Sequence, residues 1–206
     1  MAALYFSSLI LLISSANMAK AMNNSVVDTN GKVVKSKTFY WVLGGTGGGV
    51  GMGITRNRSA CETSVVFENN KASKGVVVIL PIDEKKSMVQ VSSSIVLQFY
   101  PVFSVSAGGK AAWSYVWQVS PYDARRKQYF VNACAVEGPP VVSKVGSRFI
   151  IENSGEGYVL RLCSSFCRRC KPACSEVGIY DDNGTTRLAL NAEPLMFKFQ
   201  YAPIMF

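Results

Sequence analysis

Short apolar runs separated by turns set the pattern of this chain. They are Phe39–Leu43, Val65–Phe67, Val76–Leu80, Val89–Val91, Ile95–Phe99, Tyr115–Val119, Gln128–Val131, Arg148–Ile151, Tyr158–Leu162, Val177–Tyr180, Leu188–Leu190 and Met196–Tyr201. Several alternate apolar and polar residues with a period of two. They are rich in β-branched and aromatic side chains, which suit a pleated, half-buried surface. None carries a sustained apolar stripe at helical spacing. The runs predict about twelve strands and no helices, an all-β barrel or sandwich. Asp182-Asn183-Gly184 lies between two runs and signals a type I′ hairpin. No linker or shift of composition divides the chain.

The glycine-rich stretch Gly44–Gly51 invites a nucleotide-binding reading. It fits neither the dinucleotide nor the P-loop glycine spacing. The residues that follow, Met52–Thr55, read as a strand and not as a helix whose N-terminus could hold phosphate. A flexible turn between strands is the expectation.

The N-terminus bears on the compartment. Leu4–Ile13 is largely apolar, and Ala19-Lys20-Ala21 fits the small-x-small pattern of a signal peptidase site. About ten apolar residues are too few to span a bilayer. Residues 1–21 therefore read as a cleaved secretory signal, and 22–206 as a single domain. The protein is expected outside the cell or in the vacuole, reached through the secretory pathway. The full chain carries 22 Lys and Arg against 13 Asp and Glu, a formal charge of +9. A secreted chain rarely meets nucleic acid, so the basic balance points to acidic surfaces, cell-wall polymers or solubility. Arg125-Arg126-Lys127 and Arg168-Arg169 read as solvated turns.

Four of the six cysteines, Cys163, Cys167, Cys170 and Cys174, lie within twelve residues; the others are Cys61 and Cys134. A zinc site usually separates two cysteine pairs by a longer loop, which is lacking here. In an oxidising compartment the six cysteines become three disulfides. Nested pairing, Cys163–Cys174 outside Cys167–Cys170, is the economical arrangement. Closing such a loop is worth about 3 kcal/mol in the chain-entropy model.

The chain contains no histidine. That excludes a Ser-His-Asp triad, a Cys-His pair and an HExxH zinc site. Most acids sit in turn-like contexts such as Asp83-Glu84 and Asp181-Asp182. No catalytic residue, metal ligand or cofactor site is assigned, and the chain reads as a non-enzyme.

Several motifs in order along the chain carry a resemblance. The opening has Val27–Gly31, Thr38–Leu43 and Gly47–Gly49. The middle has Val91–Ser93, Val116-Trp117, Tyr122-Asp123 and Gln128–Val131. The end has Cys174–Tyr180, Thr186–Leu190 and Pro194–Phe199. Together they resemble the Kunitz-type plant protease inhibitors, with the middle similar to the miraculin-like branch. The resemblance implies a β-trefoil of twelve strands in three pseudo-repeats, stapled by disulfides. It also implies inhibition of endopeptidases, mostly serine proteases, by an exposed loop that enters the protease cleft like a substrate, in plant defence.

The loop matching the family's inhibitory segment is Pro81-Ile82-Asp83-Glu84-Lys85-Lys86. Counting from Pro81 sets Asp83 at the specificity position. Trypsin-like pockets carry an aspartate there and select Arg or Lys, so weak or no trypsin inhibition is expected. The family's loop-bracing asparagine is replaced by Ser36 or Lys37. The family pairs a cysteine at the position of Cys61 with one just before the strand of Trp117, where this chain has none. If the segments around Trp117 and Cys134 form a hairpin, Ala112 and Cys134 are rough cross-strand partners, and Cys134 can bridge Cys61 instead. The family's interchain cysteine is absent at Asn153-Ser154-Gly155, so a monomer is expected. The alternative reading is a non-inhibitory, miraculin-like defence or storage protein that binds a small molecule, sugar or receptor. Taste modification in that branch relies on histidines and is not carried over. Sequons at Asn57, Asn183 and Asn23 are candidate glycosylation sites.

Overall fold

The computed structural model describes residues 24–54, 63–80, 87–100, 115–134, 145–163 and 174–203. Fourteen strands are present among them: β1 (Phe39–Gly44), β2 (Gly49–Ile54), β3 (Thr63–Glu68), β4 (Val78–Ile79), β5 (Ser94–Ile95), β6 (Gln98–Phe99), β7 (Tyr115–Val119), β8 (Val131–Cys134), β9 (Phe149–Ser154), β10 (Gly157–Cys163), β11 (Cys174–Asp182), β12 (Thr185–Leu190), β13 (Glu193–Pro194) and β14 (Phe197–Tyr201). The all-β expectation holds. The only helical turn among the described residues is the short 3-10 segment Val145–Ser147.

Antiparallel pairing closes a ring. β1 pairs with β14 and β4, β4 with β6, β5 with β9, β9 with β10, and β10 with β14. β5 and β6 are parts of one segment, Ser94–Phe99, which changes partners along its length. Closure leaves β1, β4, β9, β10 and β14 paired on both sides. The inward positions follow the period-two pattern: Tyr40 and Val42 on β1, Phe149 and Ile151 on β9, Phe197 and Phe199 on β14 are all buried. Leu97, Phe99 and Trp117 join them in one continuous core.

Three hairpins, β2/β3, β7/β8 and β11/β12, form a second group. They meet where Arg187 of β12 lies opposite Val66 of β3, Ser64 of β3 opposite Asn132 of β8, and Phe130 bridges Ala189. Arg187 is buried at this junction. It donates to Asp182 at 2.8 Å and to Asn132 at 3.1 Å, and its guanidinium lies 3.7 Å over the Phe130 ring. The second oxygen of Asp182 accepts from Arg126. Arg126 is therefore a cross-hairpin partner, which corrects the reading of Arg125-Arg126-Lys127 as wholly solvated. Burial pushes the Asp182 carboxyl up, but the hydrogen bonds and charges of Arg126 and Arg187 outweigh it and hold the group below its ordinary range.

The strand count departs from twelve for local reasons. Val89–Val91 is not a strand: Gln90 within it and the preceding Met88 make single bridges, to Ser25 and Lys35 of the N-terminal arm. Ile95–Phe99 splits at its change of partner. The run at Gln128 forms its ladder later, from Val131. β13 had no apolar signal. The glycine stretch is a tight turn in which the Gly44 N–H donates to Gly48 and the Gly47 N–H to Gly44, with φ of 98° and 85° at Gly47 and Gly48. Gly49 follows it in close contact, where a Cβ would stand 2.1 Å from the Lys74 carbonyl carbon.

Two outcomes test this account. Gly49→Ala is expected to cost about 1–3 kcal/mol in denaturant unfolding, because backbone and not a flexible side chain must move. Asp182→Asn is expected to cost about 3 kcal/mol at neutral pH, since it leaves buried Arg187 without its carboxylate. A depressed carboxyl stabilises above its unfolded pKa, and that contribution is lost as pH falls through the lower folded value. The difference between parent and variant, followed by unfolding at stepped pH, should therefore shrink in acid below the ordinary carboxylate range.

Candidate functional site

The arm before β1 is a small hairpin anchored by its apolar residues. Val26 and Val34 are fully buried, and the Val34 N–H donates to the Val26 carbonyl. Asp28 shapes the turn, its Oδ1 accepting from the N–H groups of Asn30 and Lys32, both at 2.9 Å. Gly31 follows at φ 73°, a conformation glycine adopts without a Cβ clash. Two tyrosines of the barrel fasten the arm. The Tyr158 hydroxyl accepts from Val27 at 2.8 Å and the Tyr40 hydroxyl from Lys35 at 2.9 Å. Burial pushes the Tyr40 phenol up, with the Lys35 hydrogen bond opposing it.

The arm then grips two separate points of the chain. The Ser36 N–H donates to the Ser87 carbonyl at 3.0 Å and the Lys37 N–H to the Leu80 carbonyl at 2.9 Å. The Ser36 hydroxyl adds a longer contact to Ser87 at 3.4 Å. Lys37 sits at φ 57°, a left-handed conformation at the point where consecutive N–H groups reach two different carbonyls. Leu80 is buried, whereas Ser87 and Met88 are exposed. Leu80 and Ser87 immediately flank residues 81–86, so both ends of that segment are tied to one dipeptide. Pro81, Ile82, Asp83, Glu84, Lys85 and Lys86 themselves lie outside the described residues. Both ties are backbone contacts, made by Ser36 and Lys37, either of which was expected at the position of the family's asparagine. Tyr40, Tyr158 and Asp28 went unnoticed in the sequence, where each reads as an ordinary strand or turn residue.

Cys163 and Cys174 form a disulfide with their Cα atoms 4.0 Å apart, directly opposite each other across β10 and β11. Two of the four clustered thiols are thus committed to a cross-strand staple, not to a metal. Cys167, Cys170 and Cys61 lie outside the described residues. Cys134 ends β8 opposite Val116. This register corrects the expected pairing with Ala112, because the hairpin turns later than a symmetric count from Asp123 supposed. Asn183 is exposed in the β11/β12 turn at φ 56°, followed by Gly184 at φ 85°, as the hairpin signal required. Asn57, Asn23 and residues 1–21 lie outside the described residues.

Residues 26–201 match the Kunitz legume family, described as trypsin and protease inhibitor. Kunitz trypsin inhibitor 5 of Arabidopsis thaliana is 31% identical over 86% of this chain and 85% of its own. Miraculin of Synsepalum dulcificum is 33% identical over 91% and 86%, and the 21 kDa seed protein of Theobroma cacao 32% identical over 90% and 85%. Among solved structures, a Kunitz-type cysteine protease inhibitor from potato superposes with a TM-score of 0.67 at 25% identity, covering 88% of this chain and 98% of that one. Soybean trypsin inhibitor gives 0.67 at 20% identity over 87% and 100%, a likeness of fold. The chain belongs to the Kunitz legume family, whose members are mostly protease inhibitors and not enzymes.

Proposed function

We propose that this protein is a secreted protease inhibitor that presents residues 81–86 to its target as a substrate-like loop. The observation that carries the reading is the grip of Ser36 and Lys37 on Ser87 and Leu80. Fixing both ends of a segment lowers the entropy lost when it docks, and slows its release after any cleavage. Asp83, at the expected specificity position, repels the aspartate of a trypsin-like pocket. The target is then an endopeptidase other than trypsin, a serine protease first. The potato relative by fold is named for cysteine proteases, so that class belongs in the test.

The wider reading is a signal at 1–21, a single domain over 22–206, a monomer and a role in plant defence, with glycans at Asn57, Asn183 or Asn23. The closed ring of strands and the three hairpins support a three-repeat β-trefoil, with fourteen hydrogen-bonded pieces in place of twelve strands. Cys61–Cys134 is the proposed second disulfide and Cys167–Cys170 the third. The β3–β8 register sets Ser64, three residues after Cys61 in the chain, against Asn132, two residues before Cys134, which supports the first of these. A second reading, a non-inhibitory seed or miraculin-like protein, is favoured by relatives of that kind at 32% and 33% identity.

A panel of serine, cysteine and aspartic proteases separates the two readings. Stoichiometric inhibition of at least one, with trypsin weak or silent, is expected, and silence across the panel would favour the second. For the inhibited protease, Lys37→Pro should weaken inhibition about tenfold or more, because it removes the N–H bound to Leu80 and forbids positive φ. Lys37→Gly keeps both and should retain inhibition; equal behaviour of the two variants would dismiss the brace. Mass mapping of a non-reduced digest should recover Cys61 and Cys134 in one linked peptide pair, and a free Cys61 thiol would break that assignment.

A further inference from the structure

The connection between β7 and β8 is more rigid than a solvated turn needs to be. Asp123 and Gln128 exchange backbone hydrogen bonds at 2.8 and 3.1 Å. Asp123 Oδ1 accepts from the N–H groups of Arg125 at 2.9 Å and Arg126 at 3.1 Å. The Arg126 side chain pairs with Asp123 at 3.3 Å and with Asp182 of the neighbouring hairpin. The basic triplet therefore divides. Arg126 holds the turn, while Arg125 and Lys127 are exposed and, among the described residues, form no ion pair. Lys127 stands at φ 53°, where glycine or asparagine would be less strained. The nearby acids are engaged: Asp123 with Arg126, Asp182 with Arg126 and Arg187, and Asp181 with the Gly184 N–H.

Two tyrosines stand at the base of this turn. Tyr122 and Tyr129 are 51% and 44% exposed, with ring centroids 5.0 Å apart and planes at 49°. Neither belongs to the core. Large rings left half in water on a rigid support resemble the anchors of binding surfaces, where Tyr and Arg are enriched. Their chemistry selects among ligands. Ring faces suit the C–H faces of sugars, the phenol hydroxyls suit sugar hydroxyls, and two separated cations suit carboxylates spaced along a polymer. Two cations give a weak single site, so useful affinity needs a ligand that repeats its own epitope. The formal charge of +9 draws the whole chain towards such a polyanion.

We propose that Tyr122, Tyr129, Arg125 and Lys127 form a binding surface for an acidic polysaccharide of uronate units, on a different element from the 81–86 loop and independent of protease inhibition. The rings stack on the sugars and the two cations meet the carboxylates. The test is binding of the purified protein to immobilised polygalacturonate. Methyl-esterified polygalacturonate, polyglutamate and anionic phospholipid vesicles serve as comparison probes. Polygalacturonate should bind best, with affinity falling as salt rises, and esterification should abolish binding. Tyr122→Ala with Tyr129→Ala should weaken binding about fivefold or more, whereas Tyr122→Phe with Tyr129→Phe, which keeps the stack, should retain most of it. Arg125→Gln with Lys127→Gln should weaken binding and flatten its salt dependence. Lys32→Gln with Lys71→Gln, a charge-matched change elsewhere, should weaken it far less, through the overall charge alone. Three results would overturn the proposal. One is tyrosine-to-alanine variants that fold and bind like the parent. Another is an equal loss in the Lys32 and Lys71 control. The last is polyglutamate or vesicles held as tightly as polygalacturonate.

Discussion

The pairing of the first barrel strand with the last is the constraint on which the rest of the structure depends. Five consecutive residue pairs, from Tyr40 against Tyr201 to Gly44 against Phe197, close the ring. Without them β1 and β14 would be open edges and the inward row of Val42, Phe197 and Phe199 would face water. The N-terminal arm rests on the same seam, since the Thr29 N–H donates to the Phe199 carbonyl at 2.8 Å. The arm in turn carries Ser36 and Lys37. A chain of contacts thus leads from barrel closure to the two ends of the proposed inhibitory loop.

Much of this was legible in the sequence because burial in a barrel obeys a period of two. The alternation at Phe197–Phe199 and the β-branched, aromatic run at Phe149–Ile151 announce strands without any tertiary knowledge, and Asp182-Asn183-Gly184 announces its turn. What stayed hidden depends on partners distant in the chain. Val89–Val91 has the composition of a strand but faces only a short arm. Arg126 looks solvated until Asp182 arrives beside it from another hairpin. The brace was invisible for a different reason: it uses the backbone N–H groups of Ser36 and Lys37, which every non-proline residue possesses.

The proposed inhibitory loop and the hairpin junction rest on different physics. At the proposed inhibitory loop, the fold ties the flanking residues Leu80 and Ser87, and specificity is proposed to rest on a few side chains such as Asp83. Among the hairpins, buried charge is neutralised in pairs, with Arg187 and Arg126 sharing Asp182. That sharing frees the turn beside it to hold tyrosines in water. A family scaffold can keep the first device and vary the second without disturbing its core, since no residue serves both.

Barrel closure also orders events in time. Contacts between residues far apart in sequence form slowly, because a long loop must close before they reward the chain. The seat of the arm on Phe199 and the seam at Tyr201 need residues near the very end of the chain. During synthesis the loop and the arm are made long before the strand on which the arm is seated, and an incomplete chain is expected to offer proteases the same residues without that support. The seated arm that ties Leu80 and Ser87 is a property of the finished molecule, so a truncated copy is expected to be a substrate where the whole protein is proposed to be an inhibitor.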